Sequence, residues 1–250
     1  MWHIQMTNFK LELCYDGTKY NGWQRLGDTD NTIQNKVETV LSRLLGQPVE
    51  VFASGRTDAG VHARRQICSF RAETEMGCEE ILAGLRRYLP TDIGAKDLKV
   101  AAKRFHARYK CVSKTYIYRI WTSDEPNVFE RKYLYFYNKK LDLEKMKRAA
   151  ELLCGEQDFS SFTTAKKSDK SFVREIYSIR FQQKGRELRI EYKGSGFLRN
   201  MVRIMTGTLL EVGTGERSAE SIREILNARE RAAAGFMAPP EGLILWDAEY

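Results

Sequence analysis

The stretch VEVFASGRTDAGVHARRQICSF, residues 49–70, decides how the rest of this chain is read. Val49 to Ala53 has the β-branched and aromatic content of a short strand, and Gln66 to Phe70 reads as the next one. Between them Gly55 to Ala63 spells GRTDAGVHA. A loop delivered by one strand and received by another sits at the end of a sheet, where a rigid scaffold holds it. In that loop Asp58 stands beside Arg56, Thr57 and two glycines. The glycines permit positive φ and close backbone approach to a ligand, and Arg56 offers a planar cation suited to phosphate or a base plane. Asp58 is therefore the first candidate for chemistry; the plainer alternative is a short aspartate that closes an Asx-turn.

Outward from this loop, strands and helices alternate. Phe9, Leu11, Leu13 and Tyr15 alternate with polar neighbours until Asp16-Gly17 turns the chain. Ile33, Val37, Val40, Leu41, Leu44 and Leu45 form the apolar stripe of a helix, with capping-box spacing at Asn31 and Gln34 and a stop at Gly46 and Pro48. Ile81, Leu82, Leu85 and Leu89 mark a second helix, and Leu98 to Ala102 a further strand, so the first half has a βαββαβ order. The second half alternates similarly. Ser113 to Trp121 is strand-like, and Leu143, Met146, Ala150 and Leu153 mark a helix. Val173 to Phe181 and Glu187 to Tyr192 form a hairpin around Lys184-Gly185. Phe197 to Val212 has helical spacing ended by Gly213, which places Arg199 and Arg203 on one side of that helix, off its apolar stripe. The expected class is α/β (α+β), with two subdomains at 1–105 and 106–250.

Forty-one Lys and Arg against 33 Asp and Glu leave a formal charge of +8, which favours an anionic partner such as nucleic acid. The charge is concentrated. From Leu98 to Ser123 run Lys99, Lys103, Arg104, Arg108, Lys110, Lys114 and Arg119 with no acidic residue, interleaved with Phe105, Tyr109, Tyr116, Tyr118 and Trp121. Planar rings beside phosphate-binding cations suit flipped or single-stranded bases, whereas the alternative is a solvated strand face over an ordinary core. The five cysteines are odd in number with no CxxC, and His3, His62 and His106 make no His-x-x-x-His pair, so neither a disulfide framework nor a metal centre is expected. No stretch approaches the about 18 apolar residues of a membrane span, and the expected location is cytoplasmic.

Six motifs, in order, resemble the tRNA pseudouridine synthase A (TruA) family: YDGTKYNGWQ at Tyr15 to Gln24, GRTDAGVHA, FHARYKCVSKTYIYRI at Phe105 to Ile120, DFSSF at Asp158 to Phe162, GFLRNMVRIMTGTLLEVG at Gly196 to Gly213, and APPEGLILWDAEY at Ala238 to Tyr250. The resemblance spans nearly the whole chain. It implies two similar ferredoxin-like subdomains whose antiparallel sheets join around a central basic cleft, and a homodimer that converts uridines of the tRNA anticodon stem-loop to pseudouridine without metal or cofactor. By similarity Asp58 is the catalytic carboxylate, as nucleophile on ribose or base or as a base at the sugar. Arg203 is its candidate cationic partner, where a surface arginine is the default. Tyr116 matches the active-site tyrosine, with Tyr118 as its rival on the same strand face. Arg56 would assist extrusion of the base, while Arg64 and Arg65 contact the backbone or form a solvated loop edge. Leu243 would line the uracil pocket or simply pack, and Lys114 joins the substrate-binding candidates.

The chain departs from the family at Asn35 to Glu38 and at Ala248, and Lys166 to Lys170 is a basic loop without diagnostic content. These positions bear on substrate choice more than on reaction type. Two alternatives stand beside the anticodon reading: a pseudouridine synthase acting on another RNA such as rRNA, and a non-catalytic RNA-binding or folding factor.

Overall fold

Alternate residues of Met6–Tyr15 (β1) point to opposite faces, and Phe9, Leu11, Leu13 and Tyr15 are buried on one of them. In the computed structural model, which describes residues 6–166 and 171–250, β1 pairs antiparallel with both His62–Glu73 (β3) and Ile93–Val100 (β4). The short strand Phe52–Ala53 (β2) adds to β3. Helices Ile33–Leu45 (α1) and Cys78–Tyr88 (α2) fall between the strands, giving the βαββαβ order legible in the sequence. Ile33, Val37 and Leu41 of α1 and Ile81 and Leu85 of α2 are buried.

Capping differs by one residue from the sequence expectation. Thr32, not Asn31, caps α1: its backbone is extended and its hydroxyl accepts from the Asn35 amide at 3.3 Å. Gly46 ends the helix in the left-handed region at φ 65°.

The second unit repeats the alternation. Ser113–Trp121 (β5) pairs with Glu187–Gly194 (β9), β9 with Val173–Lys184 (β8), and β8 with Gly155–Asp158 (β7), all antiparallel. Tyr135–Phe136 (β6) lies parallel to β5. Helix Leu143–Leu152 (α3) precedes β7, and Met201–Gly213 (α4) and Ser221–Ala228 (α5) follow β9. Nearly all of α4 is buried, so it forms the spine of this unit's core.

The chain divides differently from the 1–105 and 106–250 expected. One unit comprises residues up to Val112 together with Leu245–Tyr250, and the other Ser113–Ile244. The last strand, Leu243–Glu249 (β10), sits beside β3. Local hydrogen bonds explain its membership: the Val112 amide donates to the Glu249 carbonyl at 2.8 Å and the Tyr250 hydroxyl to the Ala107 carbonyl at 2.6 Å. His3 and the Lys167 to Lys170 part of the basic loop lie outside the described residues. No described helix is long and apolar enough to cross a membrane.

Candidate active site

Asp58 occupies the loop between β2 and β3, and two separate sequence motifs shape that loop. The first clamp is steric. Gly17 lies so close to the loop that a Cβ there would stand 2.0 Å from the Val61 carbonyl oxygen, and a Cβ on Gly22 would stand 2.8 Å from the Thr57 oxygen. Gly22 also takes φ 89°, as Gly60 takes φ 79°, so these turns require glycine. Backbone bonds complete the interlock: Trp23 N–H to Thr57 O at 3.0 Å, and Gly60 N–H to Tyr20 O at 3.3 Å. The Gly17 amide donates to His62 Nδ1 at 3.0 Å.

The second clamp is a buried polar chain. Ser54 Oγ donates to Gln66 Oε1 at 2.6 Å, and Gln66 Nε2 donates to the Gly55 carbonyl at 2.7 Å and to the Tyr15 hydroxyl at 3.3 Å. The Tyr15 and Thr57 hydroxyls share a hydrogen bond at 2.8 Å. Ser54, Gln66, Tyr15 and Thr57 are all buried, so both flanks of the loop are tied to the sheet while Asp58 remains half-buried. Sequence reasoning missed these positioning residues. The available signal was Gln66 itself, a polar residue opening the largely apolar run Gln66 to Phe70 inside β3.

Gln66→Leu removes the donor to the Gly55 carbonyl and the acceptor of the Ser54 hydroxyl, while Tyr15 keeps Thr57; the cost is about 1–3 kcal/mol for each group left unsatisfied. The variant is expected to melt several degrees lower, at about 2–4 °C per kcal/mol for a chain of this size. Thermal denaturation followed by circular dichroism checks this, and an unchanged midpoint would show that the network adds no stability.

Arg56 is exposed on the same loop. Partial desolvation, with Arg108 nearby adding to it, pulls its guanidinium below the ordinary arginine range. Arg64 and Arg65 lie on β3, not on a loop edge. Arg64 is exposed and stacks over the Trp246 ring at 4.2 Å. Arg65 is engaged by two carboxylates, Glu12 at 2.9 Å and Asp247, and is committed to joining β1, β3 and β10. The basic stretch is likewise partly neutralised: Lys99 pairs with Asp97, and Arg119 with Glu187 and Glu130.

In the second unit, Tyr116 and Tyr118 separate clearly. Tyr118 is fully buried and its hydroxyl donates to the Pro239 carbonyl at 2.7 Å. Burial, with Glu241 adding to it, pushes its phenol well above the usual range. Tyr116 is 7% exposed and meets Phe197 edge-on at 5.2 Å. Lys114 is half-buried on β5 opposite Gly194, and Leu243 is buried at the start of β10.

Arg203 does not take the surface position that is the default for a helical arginine: it is 8% exposed within α4. Its Nε donates to the Ala238 carbonyl at 2.7 Å and its Nη1 to Asn200 Oδ1 at 3.1 Å, so the guanidinium is oriented by its surroundings. Arg199 does not share its helix face. Asn200 adopts φ 61° immediately before Met201, which puts Phe197 to Arg199 in the preceding loop. Among the described residues no group of three or more His, Cys, Asp or Glu is placed to hold a metal ion.

Comparison with known proteins fits this arrangement. The sequence profile described as tRNA pseudouridine synthase matches residues 14–110 and 149–250, which include the Asp58 loop and all of α4. This chain belongs to the tRNA pseudouridine synthase family. It is 43% identical over 245 residues to tRNA pseudouridine synthase A 2 of Bacillus anthracis, covering 98% of this chain and 100% of that one. It is 45% identical over 240 residues to tRNA pseudouridine synthase A of Bacillus sp. (strain KSM-64), covering 96% and 98%. To tRNA pseudouridine synthase A 1 of Clostridium tetani it is 44% identical over 245 residues, covering 98% and 100%. Membership makes the chain an isomerase acting on tRNA. The family's fold is built here from mixed α/β units whose strands pair antiparallel, apart from the short parallel pair of β5 and β6.

Proposed function

We propose that this pseudouridine synthase modifies uridines in the tRNA anticodon stem-loop, with Asp58 as the attacking carboxylate on a uridine turned out of its stack. The observation that carries this reading is the double clamp on the Asp58 loop. Two glycines in tight contact and a buried polar chain fix the backbone on both sides of one carboxylate. Such rigidity is what a reacting group needs and what a turn-closing aspartate does not.

The isomerisation breaks the N1–C1′ bond of uridine, turns the uracil, and forms a C5–C1′ bond. A proton leaves C5 and N1 gains one, so nothing is added to the nucleoside or removed from it. Attack requires an ionised Asp58, and enclosure beside a nucleotide penalises that charge. The guanidinium of Arg203 is our candidate for the compensating cation, since it is buried and already aimed by Ala238 and Asn200. Tyr116 is our candidate for the ring that stacks on the base, and its hydroxyl for assisting proton removal from C5. That role suits Tyr116 better than Tyr118, whose hydroxyl already serves the Pro239 carbonyl. Arg56 would occupy the space left by the extruded base, an extrusion that costs a few kcal/mol. Leu243 would line the uracil pocket, and Arg64 and Lys114 contact the RNA backbone. The working form is a cytoplasmic homodimer.

Transcripts of tRNA carrying tritium at uridine C5 test the reading, since isomerisation releases that label. Release is expected, with pseudouridine mapping to the anticodon stem-loop. Pseudouridine confined to other tRNA regions, or formed only in ribosomal RNA, would overturn the assignment.

A further inference from the structure

Of the aromatic residues that interleave with cations between Leu98 and Ser123, most are occupied. Tyr118 is buried, the Trp121 indole donates to the Glu125 carbonyl, and Phe105 packs beside Lys10 and Tyr250. Tyr109 is different, because 76% of it is exposed. A solitary exposed aromatic needs no explanation, but Tyr109 is the outer member of a file. Its ring lies 4.4 Å from His106, whose ring lies 4.9 Å from Phe52, itself 40% exposed, with the successive planes tilted by 39° and 42°.

The file is held from below. Ala107, between its members, is fully buried, with its amide donating to Ser69 Oγ at 3.0 Å and its carbonyl accepting from the Tyr250 hydroxyl at 2.6 Å. The Lys110 amide closes a turn onto the His106 carbonyl at 3.0 Å. Cations surround it. Arg108, Lys110 and Arg71 are exposed. Arg108 is near enough to act on both Arg56 and His106, and Arg71 is near enough to act on His106. Desolvation first, then these arginines, lower the His106 pKa, which favours a neutral imidazole in the file.

We infer that Phe52, His106 and Tyr109 form a stacking platform for an unpaired nucleobase of the RNA substrate, apart from the uridine that reacts, with Arg108 and Arg71 taking the flanking phosphates. The inference rests on the reading that tRNA is the substrate. Its ligand is a loop or unstacked nucleotide of any sequence, because every base offers a π-face and the platform supplies no fixed pattern of edge donors. The backbone under His106 and Tyr109 is already tied to Ser69 and Tyr250 through Ala107, so binding a base does not have to order that segment.

The test compares wild type, Tyr109→Ala, Tyr109→Phe and Arg108→Gln, using tRNA transcripts labelled at uridine C5. Filter binding over a salt series gives affinity, and tritium release at saturating enzyme gives turnover. Tyr109→Ala is expected to weaken binding by about 5- to 150-fold, with an unaltered salt slope and unaltered single-turnover rate at saturation. Tyr109→Phe should bind as wild type does, because only the ring is needed. Arg108→Gln should weaken binding and lower the salt slope by about 1. If Tyr109→Ala binds within twofold of wild type, or if Tyr109→Phe is as weak as Tyr109→Ala, the platform is wrong. A wild-type protein that binds tRNA but releases no label would instead refute the reading of Asp58 and leave the binding comparison decisive for the platform.

Discussion

Asp58→Ala is expected to reduce tritium release from C5-labelled tRNA by about 10⁴-fold or more, the scale reached when a group acting in the covalent step is removed. Binding of tRNA should change little. Asp58 is only half-buried, and hydrogen bonds among Ser54, Gln66, Tyr15, Thr57 and the Gly55 carbonyl shape its loop. The variant should therefore fold, melt close to wild type and retain affinity. Single-turnover release on saturated complex is the measurement, since it removes product dissociation from the rate. A variant within tenfold of wild type would transfer the attacking role to another group. A variant that had lost binding as well would mean that the carboxylate organises the loop.

The second large effect is expected at Gly207→Ala. Gly207 lies within α4, and a Cβ there would stand 1.8 Å from the Phe236 carbonyl oxygen and 2.8 Å from its carbon. A backbone carbonyl cannot swing away as a side-chain tip does. The segment that carries it is also laced to the helix, with Gly235 N–H donating to Thr208 Oγ1 at 3.0 Å and Phe236 N–H to Glu211 Oε1 at 2.9 Å, and Arg217, just beyond the helix, donates from Nη1 to the Ala233 carbonyl at 3.0 Å. Relief requires moving that segment, and with it the Ala238 carbonyl that orients Arg203. The cost should be about 3 kcal/mol, the upper end for an overpacked core, or about 6–12 °C in melting midpoint. Thermal denaturation checks the stability, and single-turnover kinetics on the folded fraction check whether Arg203 has lost its aim. A midpoint within about 2 °C of wild type, less than 1 kcal/mol for a chain of this size, would mean that the helix and the 233–238 segment are not locked together.

Much of this architecture was legible locally. Period-two and helical patterns place β5 and α3 where the structure has them, and the βαββαβ order of the first unit follows from the same patterns. The start of α4 was not legible, because Phe197 continues its apolar spacing and only the left-handed Asn200 reveals the break. Burial of Arg203 was illegible for a related reason: a helical arginine is ordinarily solvated, and its partners come from Ala238 and from the residue at that break. Asp58 could be singled out from its own loop, but its supports could not. Tyr15, Gly17 and Gly22 meet the loop across some forty residues of sequence, and spacing carries no record of such contacts. The short strand β7 and the helix α5 also escaped, being brief elements with weak periodicity.

The return of Leu245–Tyr250 to the first unit has a consequence for biosynthesis. On the ribosome, residues up to Val112 emerge early, yet β3 gains β10 alongside it only after Ser113–Ile244 have been synthesised. Until then Arg65 lacks Asp247, Arg64 lacks the Trp246 ring, and the Ala107 carbonyl lacks the Tyr250 hydroxyl. The nascent protein thus leaves part of the β3 edge unpaired until Leu245–Tyr250 has emerged, an interval in which a chaperone or a neighbouring chain can compete for it.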